Sequence, residues 1–335
     1  MYSSTTENVK TFQFIWPYVQ IARVDHWFKN TFMLLGAFLA FFYEPTSLTW
    51  LSLPRIALGL LATCLIASSN YVLNEWLDGA TDRYHPEKKH RPVPSGKIRS
   101  GLAVMEWLLL GATGMIVASL SSFSIFMSAL MLWLMGIAYN VPPVRTKELP
   151  YLDVLSESVN NPLRLLLGWF AVVPYKVPPL SLILAYWMVG AFFMATKRFA
   201  EFRYIGDFKA AAQYRQSFGY YTENRLLVSM FVYATMSALF AGIFIVRYRV
   251  ELILFVPLAA GFFGYYLKLG LEENSPAQRP ETLYCERGFV RYLVLSMVVV
   301  VALMLIQVPV LYEWFNIEPA RIDPLWTIGK QAQRQ

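Results

Sequence analysis

Polar residues are scarce along most of this chain and crowd into short stretches between long apolar runs. A helix needs about 20 apolar residues to cross the hydrocarbon core of a bilayer. Nine runs read as such spans, at roughly 29–44, 55–75, 101–121, 123–140, 152–173, 179–198, 225–246, 250–269 and 290–312. The pattern predicts an all-α, polytopic membrane protein, a nine-transmembrane-helix bundle with the polar stretches as loops. No polar stretch is long enough to link two soluble domains, so 1–335 reads as a single membrane domain. Within it, 1–28 is an N-terminal interfacial segment, amphipathic over Phe12 to Val24, and 313–335 a C-terminal tail. The opening residues lack a short apolar core with a small-residue cleavage site, so no cleaved signal peptide is expected.

Composition supports the same class. The chain is 56% hydrophobic and only 15% charged, where a soluble domain carries about a quarter. An aromatic share of 16% suits Trp and Tyr lining two membrane interfaces. Cys64 lies in an apolar helix and Cys285 in a charged loop, which suggests neither a disulfide framework nor a thiolate metal site. The net charge of +7 informs through its placement: most of the 29 Lys and Arg fall in the N-terminal segment and in loops 76–100, 141–151, 199–224 and 270–289. The positive-inside rule places those segments in the cytoplasm and the C-terminus outside, as in a cell inner membrane. The cations flank helices and are mixed with acids, so membrane lipids rather than nucleic acid are the expected partners.

Candidate chemistry sits at two boundaries between apolar and polar sequence. The second span ends in Asn74, Glu75, Asp78 and Asp82, followed by His85, Lys88, Lys89, His90 and Arg91. On one helix, positions 74, 78 and 82 share a face and span about 12 Å. Exposed pairs between these acids and the following cations would contribute little. Four-residue spacing sustained over two turns points instead to Mg²⁺, a hard cation that prefers oxygen ligands and bridges to substrate phosphates. The fifth span opens with Asp153, Glu157, Asn160, Asn161 and Arg164, preceded by Arg145 and Lys147. Asp153 alone would read as a charge complementing a helix dipole. The stripe, however, continues into the membrane, where Arg164 requires a partner, either Glu157 or an anionic substrate. Pro162 frees the carbonyl near Ser158, which suits a helix lining a wet cavity. Two such ladders facing each other could hold one or two metals.

The sixth span ends in Lys197, Arg198, Glu201 and Arg203. Such cations are ordinarily topology signals; the alternative is that Lys197 and Arg198 grip phosphate, oriented by Glu201. His26, His85 and His90 are not spaced as a metal set.

At these residues the chain resembles the UbiA superfamily of intramembrane prenyltransferases. That family carries an Asn-Asp-x-x-Asp-x-x-x-Asp motif and a second acidic motif on a later helix of a nine-helix bundle. Here the first stands as Asn74-Glu75-x-x-Asp78-x-x-x-Asp82, with Glu replacing the usual Asp. Tyr139-Asn140-x-Pro142-Pro143-x-Arg145-x-Lys147, then Asp153-x-x-x-Glu157, resembles the second region, with Glu in place of its last Asp. The resemblance implies Asn74, Glu75, Asp78, Asp82, Asp153 and Glu157 as Mg²⁺ ligands, with Asp78, Asp82, Asp153 and Glu157 at the catalytic centre. Lys88, Arg91, Arg145, Lys147, Asn160, Asn161, Arg164, Lys197 and Arg198 would bind substrate in a central cavity opening near the cytoplasmic face.

Arg23-Val-Asp-His-Trp27-Phe-Lys29-Asn30, His85-Pro86-x-Lys88-x-x-Arg91-Pro92 and Lys197-Arg198-Phe-Ala-Glu201 look closer to one branch, the decaprenyl-phosphate phosphoribosyltransferases. That branch moves phosphoribose from its diphosphate donor to a polyprenyl phosphate. Pro142-Pro143-x-Arg145-x-Lys147 is also typical of true prenyltransferases, which move a polyprenyl group from its diphosphate to a quinone precursor or another small acceptor. Both expectations require a diphosphate donor, a polyprenyl lipid and Mg²⁺, and exposed membrane helices leave room for a homo-oligomer. A transporter would place its ion site at the midplane between inverted repeats; these ladders lie at one face and run in similar sense.

Overall fold

The computed structural model describes residues 14–318, apart from 48, 86, 279–282 and 284, together with 326–327. Most of the expected tail 313–335 and the start of the interfacial segment, Phe12 included, lie outside the described residues; 14–21 are helical. Among the described residues the regular secondary structure is helical apart from a two-residue parallel pairing of Ile306–Gln307 with Trp326–Thr327.

The helices are α1 (Met33–Tyr43), α2 (Ser52–Asp78), α3 (Ser100–Ser119), α4 (Phe123–Asn140), α5 (Leu152–Ser158), α6 (Asn160–Val172), α7 (Leu180–Ile205), α8 (Phe208–Tyr214), α9 (Glu223–Tyr248), α10 (Val256–Leu271), α11 (Arg287–Leu305) and α12 (Pro309–Phe315). Seven are long and apolar enough to cross a membrane: α2, α3, α4, α7, α9, α10 with its leading 3₁₀ turn from Val250, and α11. These make the chain an integral membrane protein.

The seven uninterrupted spans compare with nine apolar runs, and both departures have local causes. The run at 29–44 becomes α-helical only from Met33, because Val24–Phe32, with Asp25, His26, Lys29 and Asn30, winds as a 3₁₀ helix. The run at 152–173 is divided at Val159. Pro162 has no N–H for the Ser158 carbonyl, so the i→i−4 ladder skips a rung there. Elsewhere the apolar runs underestimate helix length: α7 continues to Ile205, carrying Lys197, Arg198, Glu201 and Arg203 on helix.

The chain divides into two compact units, 1–178 with 205–221, and 179–204 with 222–335. In the first, α2 is central: 56% of its apolar window is buried, against 22% for α3 and 33% for α4, which turn more surface outward. Lipid tails are as apolar as leucine, so close packing and interhelical hydrogen bonds must hold such helices together. Gly36 of α1 and Gly168 of α6 supply the packing. A Cβ on Gly36 would lie 2.0 Å from the Leu165 carbonyl oxygen, and one on Gly168 1.8 Å from that of Met33. The hydrogen bonds join α2 to its neighbours: Trp27 Nε1 donates to Ser68 Oγ at 2.9 Å, Trp133 Nε1 to Ser69 Oγ at 3.1 Å and Asn70 Nδ2 to the Leu132 carbonyl at 2.9 Å.

The second unit packs aromatic rings of α7, α10 and α11, with Phe193 on Tyr266 at 4.5 Å and Phe262 on Phe289 at 5.6 Å. A buried pair, Arg249 and Glu251 at 3.3 Å, fastens the ends of α9, α11 and α12. Arg249 also donates to the carbonyls of Leu303 and Ile306, while Glu251 accepts from the Val308 N–H and the Tyr312 hydroxyl. Both charges are saturated, as a pair withdrawn from water must be.

Gly168→Ala is expected to force α1 off α6, at about 1–3 kcal/mol for overpacking. Melting in detergent should fall clearly for Gly168→Ala and stay put for Gly101→Ala, where an added Cβ meets nothing within 4 Å.

Candidate active site

Helix α2 stops at Asp78, so the first acidic ladder is not one helical face. Asn74, half-buried, and Asp78 lie one turn apart on α2, and Asp82 opens a separate 3₁₀ turn, Asp82–Tyr84. Gly79 permits the exit, because a Cβ there would meet Val93 Cγ1 at 2.5 Å. Glu75, Asp78 and Asp82 are 2%, 9% and 2% exposed, so each needs a counter-charge.

Each has one. Asp82 takes Arg91 Nη1 at 2.8 Å. Glu75 takes Arg23 at 3.5 Å and the Val93 N–H at 3.5 Å. Asp78 is held by the Lys147 ammonium and by Arg145 Nη2 at 3.3 Å. Lys147 also donates to Asn140 Oδ1 at 2.8 Å, fixing it against the end of α4. The loop that carries it is strained: Arg145 (φ 28°) and Tyr151 (φ 66°) are non-glycine residues at positive φ on either side of the turn Thr146–Glu148. Such conformations cost about 1–3 kcal/mol each and gather at functional sites. Burial pulls the Lys147 ammonium down to about 8, against the charge and hydrogen bond of Asp78, which raise it. Burial raises the Asp82 carboxyl above the usual carboxylate range, against Arg91 and then Lys88, which lower it.

The second ladder meets the loop 205–221. Asp153, fully buried, accepts from Tyr221 Oη at 2.5 Å and Ser217 Oγ at 3.1 Å, with Arg215 at 3.7 Å. Glu157 accepts from the Tyr139 hydroxyl at 2.8 Å, and that hydroxyl accepts from Arg215 Nη1 at 3.2 Å. Arg215 also reaches the Lys147 carbonyl at 3.4 Å, so one guanidinium touches the holders of both ladders. Asp78, Thr81, Lys147, Glu148, Tyr214 and Arg215 line a small, open cleft.

Of the other expected residues, Lys88 joins this neighbourhood. Its ammonium bonds the Tyr214 hydroxyl and lies 4.5 Å from that ring's centre, with His85 against the same ring at 4.8 Å. Arg164 pairs with Asn30 Oδ1 at 3.0 Å rather than with Glu157, which turns to Tyr139. Asn160 and Asn161 begin α6. Lys197 and Arg198 belong to the other unit, on α7, where Arg198 Nη1 meets Glu201 at 3.1 Å. Arg215, Tyr214, Ser217 and Tyr221 were not singled out from sequence. Their signal was an aromatic cluster beside an arginine, at 214–221, in a loop read only for its charge.

Among the described residues no three of His, Cys, Asp and Glu converge as a metal set. The ladder acids face cations or hydroxyls instead. The donor chemistry still fits a hard divalent ion with a diphosphate: buried carboxylate oxygens at 78 and 82, and cations at 91, 145, 147 and 215 for phosphate oxygens.

Fold and site together describe a membrane-embedded helical protein with an acid-and-cation cluster where its helices end. The UbiA prenyltransferase family model matches residues 31–285, and the chain belongs to that family. It is 25% identical over 218 residues to the decaprenyl-phosphate phosphoribosyltransferase of Mycolicibacterium smegmatis, covering 62% of this chain and 63% of that one. It is 35% identical over 97 residues to the nodulation protein NoeC of Azorhizobium caulinodans, covering 29% and 30%. The chain thus matches less than two thirds of the length of either relative. A UbiA homologue from Archaeoglobus fulgidus, solved with GPP and Mg²⁺, superposes with a TM-score of 0.65 at 19% identity, over 86% of this chain and 99% of that one.

Tyr221→Phe removes a hydroxyl that donates to Asp153 and accepts from the Tyr151 N–H. It should lower stability by about 1–3 kcal/mol, read by reversible denaturation in mixed micelles. Tyr84→Phe, at a ring 56% exposed, should be neutral.

Proposed function

We propose that this protein is a Mg²⁺-dependent membrane transferase that moves 5-phosphoribose from phosphoribosyl diphosphate to a polyprenyl phosphate. The observation that carries the reading is the cation set around Asp78 and Asp82: Arg91, Arg145, Lys147, Lys88 and Arg215 exceed what one diphosphate needs. Phosphoribosyl diphosphate carries a further phosphate. The match to a decaprenyl-phosphate phosphoribosyltransferase over 62% of the chain supports the same donor.

Asp78 and Asp82, with Asn74 and Glu75 behind them and Asp153 and Glu157 on the second ladder, would hold the metal. Bound there, Mg²⁺ neutralises diphosphate charge and so eases departure of the leaving group. Lys147 and Arg145 trade Asp78 for phosphate oxygens of the donor, Arg91 does the same from Asp82, and Arg215 secures the far side. The bond from ribose C1 to the diphosphate oxygen breaks with its electron pair leaving on diphosphate. A phosphate oxygen of the lipid forms the new bond to C1. Fixed cations aimed at the leaving group stabilise that charge as it develops. The loops 79–99 and 205–221, meeting through Lys88 and Tyr214, exclude water that would otherwise hydrolyse the ribosyl centre.

In this reading α1 and the α5–α6 pair complete a nine-helix bundle in a cell inner membrane, with the site at its cytoplasmic side. The second reading, transfer of a prenyl group from its diphosphate to a small acceptor, is favoured by the fold shared with a homologue solved with GPP and Mg²⁺. Equilibrium binding to the detergent-purified protein separates the two. Phosphoribosyl diphosphate should bind saturably with Mg²⁺ and at least tenfold more weakly in Asp82→Ala. Binding of geranyl diphosphate alone would move the protein to the second reading.

A further inference from the structure

We propose that Asn30, Asn160, Asn161 and Arg164 form a second anion site, deeper in the membrane than the acidic cluster, that receives the phosphate head of the lipid acceptor. The proposal rests on the reading of function above and adds a separate place for the second substrate.

Arg164 is placed where a charge is least welcome. It lies in the second turn of α6, seven residues beyond Glu157 and past the break at Val159. Core residues of the same stretch, Leu163 and Leu167, are buried among Met33, Ala37 and Ile66. An arginine at such depth ordinarily marks a ligand path or a paired partner. Its protein partner is neutral: Nε donates to Asn30 Oδ1 at 3.0 Å. Asn30 is itself 1% exposed and fixed by its amide against Cys64 Sγ at 3.4 Å. The guanidinium is therefore oriented by one nitrogen, and among the described residues both terminal nitrogens are unengaged. That leaves a two-pronged donor suited to a phosphate.

One turn before it, Asn160 Oδ1 is buried with no hydrogen-bond partner among the described residues. A buried unsatisfied amide oxygen calls for an explanation. It can accept from a protonated phosphate oxygen or, with the amide turned over, donate to an ionised one. Asn161 adjoins it, half-buried. With Asp153 and Glu157 above, the stripe changes from acid to amide to cation along one helix pair, so an anion is favoured only at the deep end. A free phosphate would have to leave water to get there, whereas a lipid phosphate arrives with its chain already in the bilayer. The acceptor oxygen would thus approach the donor from below, while the donor's diphosphate stays with Asp78 and Asp82.

The test uses the full chain in detergent, with EDTA present and farnesyl monophosphate as the probe. Saturable binding is expected without metal, at least tenfold weaker in Arg164→Gln, several-fold weaker in Asn160→Leu and within twofold of wild type in Asp82→Asn. Farnesol and inorganic phosphate should each bind at least tenfold more weakly than the probe. Should Arg164→Gln fail to fold, Asn160→Leu, which leaves the Arg164–Asn30 pair intact, carries the test. Wild-type binding in both variants, or binding that needs Mg²⁺ and Asp82, overturns the site. Inorganic phosphate matching the probe overturns the lipid assignment. Donor binding is read separately: a protein holding farnesyl phosphate through Arg164 yet ignoring phosphoribosyl diphosphate supports this site and contradicts the function, and the reverse result does the opposite.

Discussion

Pairing of buried carboxylates with cations supplied from other segments is the constraint on which the first unit depends. Asp78 sits at the end of α2 and draws Lys147 and Arg145 to it from beyond α4. Because those two are held, the strained turn between Arg145 and Tyr151 is held, and it delivers the chain into α5 with Asp153 buried against Tyr221. Arg215 closes the circuit through Tyr139 and the Lys147 carbonyl. Removing Arg91 would leave the Asp82 carboxylate buried without its ion pair, typically a more costly state than never having had the pair. The same saturation that holds the cluster gives it chemistry. A metal–diphosphate offers carboxylates a cation and cations an anion, so substrate can replace the internal pairs without leaving a charge stranded.

The membrane framework around this cluster was legible because hydropathy over about 20 residues reports crossing directly. Seven of the nine apolar runs appear as long helices; the other two failed for reasons visible one residue at a time. Pro162 breaks the fifth run, and the polar residues of 24–32 delay the first helix until Met33. Four-residue spacing correctly brought Asn74 and Asp78 onto one helix, but spacing cannot see a helix end, and Asp82 falls beyond it. Arg164 was expected to need a partner, yet the partner is Asn30, 134 residues distant in sequence, which no local pattern could supply. Arg215 and Tyr221 were hidden for the same reason: a loop residue becomes part of a site only through tertiary contact. The glycines at 36 and 168 likewise look ordinary in sequence and matter because two backbones touch there.

The measurement that tests the central claim most directly is product analysis by mass spectrometry. Purified protein would be incubated with Mg²⁺, farnesyl phosphate and phosphoribosyl diphosphate, with geranyl diphosphate and a hydroxybenzoate offered in a parallel reaction. The account predicts a farnesyl phosphate enlarged by one phosphoribosyl group, with diphosphate released, and no prenylated aromatic. A prenylated acceptor with farnesyl phosphate left untouched would contradict it.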